Sequence, residues 1–184
     1  KYTYKDYLTW SENERWELFD GEAYMQAAPS WQHQAISGEL HRQFANYLQG
    51  KDCQVFSSPF DLRLPDNDEQ DNESINVFQP DLSVICNKNK LIGTGYSGAP
   101  TLVIEVSSPS TSRIDRVLKF NKYEKAGVKE YWIVDPEGKY INIFVLQEDN
   151  RYGRPESYTE ENKVKVATFP DLVIDLALVF ATID

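Results

Sequence analysis

The run Thr101-Leu102-Val103-Ile104-Glu105-Val106 is apolar and largely β-branched from end to end, with a single carboxylate inside it. Pro100 bounds it on one side and Ser107-Ser108-Pro109 on the other. A short, continuously apolar run of this kind reads as a central strand covered on both faces of its sheet. Desolvating a lone carboxylate there costs several kcal/mol, so Glu105 calls for a cation, a metal or a hydrogen-bond network. Upstream, Asp81 to Cys86 forms a second short β-branched run, opened by Pro80-Asp81. Downstream, Ser112 to Ala126 reads as a helix, capped by Ser110, Thr111 or Ser112 and stopped at Gly127. Glu130 to Val134 and Tyr140 to Leu146 then pair across the turn Asp135-Pro136-Glu137-Gly138.

Further out the same patterning continues. Thr3 to Trp10 suggests an N-terminal helix capped by Thr3. Trp16-Glu17-Leu18-Phe19 and Ala23-Tyr24-Met25-Gln26 flank Asp20-Gly21, whose left-handed preference predicts a hairpin. From Gln32 to Leu48 the apolar positions Ile36, Leu40, Phe44, Ala45 and Leu48 recur at helical spacing, and Gly50 closes the element. Gln54 to Leu64 reads as a strand pair or one strand bent at Pro59. Pro65 to Asn76 carries five acids and reads as a solvated loop. Val164 to Asp184 gives a strand, a turn at Pro170 and a short helix. The expected class is α/β in the mixed, α+β sense: a central mixed sheet flanked by helices, with an N-terminal helix and β-hairpin, in one domain spanning residues 1–184.

The 184 residues are 41% apolar and 26% charged, which fits a folded globular chain and excludes disorder, collagen and coiled coil as descriptions of the whole. No run reaches the roughly 18 apolar residues of a membrane span, and the opening segment lacks the apolar core of a signal peptide. These features lead us to expect a cytoplasmic protein without a membrane partner. Cys53 and Cys86 stand 33 positions apart and in no CxxC pair, so neither a disulfide framework nor a thiolate zinc site is expected. A formal charge of −10 argues against passive adhesion to nucleic acid. The positive charge is concentrated, however: Arg113 to Lys129 holds six Lys or Arg against two acids.

Asp81 and Glu105, on adjacent buried strands, are a pair that could hold an oxygen-loving divalent ion, since Mg needs few protein carboxylates and keeps several waters. On the following helix, Asp115, Lys119, Lys122 and Ala126 fall within about 60° of one another at roughly 100° per residue, with Tyr123 beside Lys119. An ammonium on that face could orient a water or offset charge growing on a phosphate. Ser107, Ser108, Ser110 and Thr111 have no GxSxG elbow and read as helix caps. His33 and His41 lie about 80° apart around their helix and are no metal pair. His33 reads as a capping or packing residue that could contact phosphate. Trp10, Trp16, Trp31 and Trp132 read as core and interface aromatics.

Pro80-Asp81, then Glu105 in an apolar strand, then a helical lysine resembles the PD-(D/E)xK nuclease superfamily. The string from Leu102 to Thr111, with Asp115, Lys119, Tyr123, Ala126-Gly127-Val128 and Glu130 to Pro136, is similar more closely to a restriction-endonuclease-like family of uncharacterised bacterial proteins. Trp16 to Glu22, Ala28-Pro29-Ser30 with His33-Gln34, and Phe169-Pro170-Asp171-Leu172 fit the same pattern. The resemblance implies a Mg-dependent endonuclease, with Mn as a substitute ion, that hydrolyses phosphodiester bonds of DNA. It assigns Asp81, Glu105 and the Val106 backbone carbonyl to the metal. The superfamily lysine would stand at position 107, which is Ser; the family supplies it from the next helix, where Lys119 matches and Lys122 is the fallback. Glu17 and His33 are accessory candidates, and Arg113, Arg116 and Lys122 are candidates for contact with the DNA backbone. A homodimer and an unidentified protein partner are further expectations. The alternative is a non-catalytic nucleic-acid or protein interaction module that retains the nuclease fold, with Glu105 simply paired to Lys119.

Overall fold

The structure is a computed structural model describing every residue from Lys1 to Asp184. Chain order gives α1 (Tyr4–Tyr7), the hairpin β1 (Trp16–Phe19) and β2 (Glu22–Met25), α2 (Trp31–Leu48), β3 (Gln54–Ser57), β4 (Asp61–Arg63), β5 (Val77–Phe78) and β6 (Leu82–Ile85). There follow β7 (Leu91–Ile92), β8 (Gly95–Ser97), β9 (Leu102–Val106), a π-helical segment (Ile114–Lys119) that runs into α3 (Phe120–Ala126), β10 (Glu130–Asp135) and β11 (Tyr140–Val145). The chain closes with β12 (Glu156–Thr159), β13 (Lys163–Lys165), β14 (Val173–Asp175) and α4 (Leu176–Ala181). The class is mixed α/β, as the sequence predicts.

Local chemistry explains the boundaries. Thr3 and Asp6 cap α1 reciprocally. Asp20 and Gly21 both take positive φ, which lets β1 and β2 fold back on each other through a two-residue turn. Ser30 caps α2 by accepting from the His33 N–H, and Gly127 ends α3 in the left-handed region.

Two six-stranded sheets face each other. One has the order β12-β11-β10-β9-β6-β3 and the other β2-β1-β5-β4-β8-β7. Gln54 to Leu64 is therefore neither one bent strand nor one pair: β3 and β4 belong to different sheets. In the first sheet β9 runs parallel to β10, reached by the π/α3 crossover, and antiparallel to β6. All five residues of β9 are buried. Leu102, Ile104 and Val106 pack on one face with Ile36, Phe44 and Trp132. Val103, Tyr131 and Ile133 pack on the other with Tyr123, Phe78 and Leu62 of the second sheet. Alternation puts Glu105 on the Val103 side, between the crossover helix and the second sheet.

Further expectations need correction. Cys53 and Cys86 form a disulfide. They continue the β3–β6 ladder by one step past Gln54↔Ile85, so the sheet register brings them together although the sequence separation is 33. The acidic loop is not wholly solvated, because Asp71 clasps the buried Arg63 guanidinium through Nε at 2.9 Å and Nη2 at 3.1 Å. Trp31, read among the core and interface aromatics, is 62% exposed and lies outside the core. The predicted helix at Ser112–Ala126 carries a π-helical stretch over Ile114–Lys119, so uniform 100° spacing does not describe its first half.

Candidate active site

Asp81 and Glu105 interlock where β6 begins and β9 ends. Glu105 Oε1 accepts the Asp81 backbone N–H at 3.0 Å, and Asp81 Oδ2 accepts the Val106 N–H at 2.7 Å. Each carboxylate is thus held by the other residue's strand. The antiparallel register Leu82↔Ile104 sets this reciprocity, by placing position 81 opposite 105.

The second oxygen of Glu105 faces the crossover helix. Lys119 Nζ donates to Glu105 Oε2 at 2.5 Å and lies 2.9 Å from Glu17 Oε1, while Tyr123 donates its hydroxyl to Glu105 Oε2 at 3.2 Å. Glu17, in β1, also accepts the Gln79 N–H at 2.8 Å. Glu17, Glu105 and Lys119 are all at least 95% buried as residues. His33, on the first turn of α2, places Nε2 3.0 Å from Asp81 Oδ1. Asp115, 4% exposed, accepts from Thr111 Oγ1 at 3.0 Å.

These groups share a cleft of ≈ 890 Å³ between the β1–β2 hairpin, the start of α2, the Ser107–Ser112 loop and the Asp135–Glu137 turn. The cleft distinguishes Glu105 from other buried acids. Glu130 is fully buried too, but Trp132, Ala167 and Thr168 saturate it with neutral donors away from the cleft. Asp61 is likewise filled by Tyr4, Tyr7, Thr94 and Gln79.

Burial holds the Glu105 carboxyl well above the usual range, relieved in part by Lys119 and reinforced by Asp81, Asp115 and Glu17. Burial also raises Asp115, against the lowering effects of Lys119 and the Thr111 bond. Burial alone would depress the Lys119 ammonium; Glu105, Glu17 and Asp115 outweigh it and keep the group protonated well beyond its ordinary range.

Four carboxyl groups, Glu17, Asp81, Glu105 and Asp115, line the cleft with one ammonium, so its acidic groups offer oxygen donors and outnumber the cation. No group of three or more His, Cys, Asp or Glu side chains has metal-binding geometry. An ion here would take Asp81 and Glu105 from the protein and complete its shell with water. That fits Mg or Mn and does not fit a protein-caged zinc.

Of the candidates named from sequence, Asp81, Glu105, Lys119, Glu17 and His33 converge. Lys122 does not: it pairs with Asp20 on the surface, which leaves Lys119 as the lysine at the site. Arg116 donates to Asn142 Oδ1 at 3.0 Å, Arg113 is exposed, and Lys125 pairs with Asp66. At Val106 the hydrogen bond to a site residue is made by the N–H, to Asp81. Sequence reasoning missed Gln79, whose backbone seats Glu17, and Ser107, whose buried Oγ has no hydrogen-bond partner. The only available signal for either was adjacency to the motif, Gln79 before Pro80-Asp81 and Ser107 two residues after Glu105.

A family model, Uma2, described as "Putative restriction endonuclease", matches residues 4–177. An uncharacterised protein of Synechocystis sp. is 32% identical over 148 residues, covering 79% of this chain and 74% of its own. Among solved structures, a crystal structure described as "a putative nuclease belonging to DUF820 from Anabaena variabilis" superposes with a TM-score of 0.80 over 99% of both chains at 18% identity, a likeness of fold.

Proposed function

The chain belongs to the Uma2 family, "Putative restriction endonuclease", and on that premise we propose that it is a metal-dependent endonuclease that hydrolyses phosphodiester bonds of DNA. The observation that carries this reading is the buried Lys119 ammonium bonded to Glu105 beside Asp81, all three opening on one cleft. Asp81 and Glu105, with the Val106 carbonyl, would hold Mg, which when bound polarises a phosphoryl oxygen and lowers the pKa of a water. Lys119 stays protonated, so it acts by charge: it orients the Glu105 carboxylate and offsets negative charge growing on phosphate, and it does not serve as a base. Glu17 anchors Lys119 from behind, Tyr123 fixes the same Glu105 oxygen, and His33 steadies Asp81 from the helix. Arg113, Arg116 and Lys122 would meet the DNA backbone, the last after release from Asp20. The proposal takes residues 1–184 as one cytoplasmic catalytic domain acting as a homodimer, with a protein partner to raise affinity for DNA.

The interaction-module reading draws on one observation: Lys119 is fully engaged between two carboxylates, as a purely structural ion pair would be. Calorimetric titration with Mn separates the two. The nuclease reading expects binding in wild type and its loss in Asp81→Asn, Glu105→Gln with circular dichroism unchanged, followed by DNA cleavage that Lys119→Met abolishes. If wild type and variant both fail to bind Mn at millimolar concentration, the catalytic reading is wrong.

A further inference from the structure

Arg15 is the cation in the cleft that this mechanism leaves unused. Only two Lys or Arg side chains line the cleft, Arg15 and Lys119, and Lys119 Nζ is committed to Glu105 and Glu17. Arg15 stands two residues before Glu17, so alternation along the strand turns both side chains to the cleft face of the β1–β2 hairpin. Its guanidinium has neutral partners only: Nε donates to Gln79 Oε1 at 3.2 Å and Nη2 donates to Ser58 Oγ. The remaining N–H groups of the fork make no hydrogen bond to the protein.

Both supports are themselves fixed. The Gln79 amide donates through Nε2 to the Tyr7 hydroxyl at 2.7 Å and to Asp61 Oδ1 at 3.1 Å, which leaves its carbonyl oxygen for Arg15. Tyr4 and Thr94 hold the other oxygen of Asp61, so the buried network behind Gln79 is closed. Ser58 donates its backbone N–H to the Asp81 carbonyl at 3.1 Å, and Gln79 stands two residues before Asp81. The guanidinium is thus tied from both sides to the start of β6. Across the hairpin, the Gln26 N–H donates to the Arg15 carbonyl at 2.8 Å, and the Gln26 side-chain Oε1 is buried in the cleft wall without a partner. That amide can turn over to present its NH2 group to a ligand beside Arg15.

An arginine with a purely structural task in so acidic a cleft would pair with one of its carboxylates. Arg15 is instead pinned by neutral groups with part of its fork turned loose, which is the arrangement of a site that receives an anion. We propose that Arg15, with Gln26 beside it, is the seat for a backbone phosphate of the nucleic-acid substrate. The planar fork matches two phosphate oxygens at once, and a guanidinium already held in place loses little freedom when it binds. Arg15 is then a positioning residue: it sets the register of the strand against the Asp81–Glu105 pair. The seat rests on the proposed nucleic-acid substrate, but its residues are separate from the proposed metal ligands.

The test compares duplex binding with metal binding. A labelled DNA duplex is titrated with the intact protein in Ca and followed by fluorescence anisotropy, for wild type, Arg15→Met, Arg15→Lys and Lys163→Met. Lys163 is exposed on β13, outside the cleft, and controls for the change in net charge. Circular dichroism and thermal melting check each fold, and Mn calorimetry is run on the same four proteins. Arg15→Met is expected to lose roughly tenfold or more in duplex affinity, as when a charged hydrogen-bond donor is removed. Its slope of log K against log salt should be shallower by about 0.9 per chain, with Mn binding unchanged. Arg15→Lys should keep the slope and lose affinity, because an ammonium lacks the fork. Lys163→Met should bind as wild type does. A wild type that binds no duplex, an Arg15→Met that binds it as wild type does, or an equal loss in Lys163→Met overturns the proposal. Should Arg15→Met fail to fold, Arg15→Lys decides, and wild-type affinity there overturns it. The two readings fail separately. Mn binding with duplex affinity indifferent to Arg15 removes the seat and leaves the metal centre standing; no Mn binding, with duplex affinity lost in Arg15→Met, removes the nuclease and keeps the seat in a non-catalytic module.

Discussion

Truncating Lys119 would leave Glu17 and Glu105 facing each other, both almost wholly buried, with no cation between them. Breaking a buried pair by deleting one partner costs about 3–5 kcal/mol, so Lys119→Met is expected to lower metal-free stability by that order at pH 7, read from urea unfolding. Asp115 gives the opposite sign. Its folded-state carboxyl lies above the ordinary 3.8, so the native protein binds that proton more readily than the unfolded chain does. The stability it contributes is fully present below about 3.8 and is lost as pH rises through the raised value. Asp115→Asn, which cannot ionise, should therefore be more stable than wild type at pH 7 in the absence of metal. The gap should narrow as pH falls toward 4, and a series of melts from pH 4 to 7.5 would show it. No narrowing would mean that Asp115 does not titrate as described. At this scale Glu105 was legible in the sequence, because a carboxylate inside an apolar strand announces its own cost. His33 was not, because its contact with Asp81 depends on where α2 begins relative to β6, which no local pattern encodes.

Two side-chain links fasten whole elements together. Asp71 holds the acidic loop to β4 through Arg63, whose side chain is 1% exposed, while Asp71 keeps 29% of its own. Because one partner is half open, Asp71→Ala should cost somewhat less than a fully buried pair, on the order of 2–3 kcal/mol in urea unfolding. The Cys53–Cys86 bridge closes a loop across β3 to β6, and removing it by Cys53→Ser, Cys86→Ser should cost about 3–4 kcal/mol by loop entropy. Reductant should reproduce that loss in wild type and do nothing to the double mutant. The elements with strong local signals, such as the Asp20-Gly21 hairpin, the periodic α2 and the capped α1, were legible because their chemistry lies within a few residues. The division of Gln54 to Leu64 between two sheets, the disulfide and the π turns were not. Each follows from long-range pairing or from the demands of packing Asp115 and Lys119 inward together.

For the molecule as a whole, the cationic segment from Arg113 to Lys129 is largely spent internally: Lys119 on the site, Lys122 on Asp20, Lys125 on Asp66. DNA would meet Arg113 and Arg116, with Lys122 if it exchanges partners. At about 0.9 counterions per neutralised phosphate, the slope of log K against log salt from this segment should be no steeper than about −3 for one chain, or about −5 for the proposed homodimer. Fluorescence anisotropy with a labelled duplex over a salt series, in Ca to suppress turnover, measures it; a slope near −10 would require a basic surface that these pairings do not leave. Finally, the reciprocal bonds between Asp81, Glu105 and each other's strands exist only when Leu82 lies opposite Ile104. A slip of one residue would turn Glu105 toward the α2 side of the sheet and undo both bonds together. On the proposed function, metal affinity would double as a proofreading signal for assembly: a chain that joined these strands wrongly would also lack the proposed centre, disarmed by the same error that misfolds it.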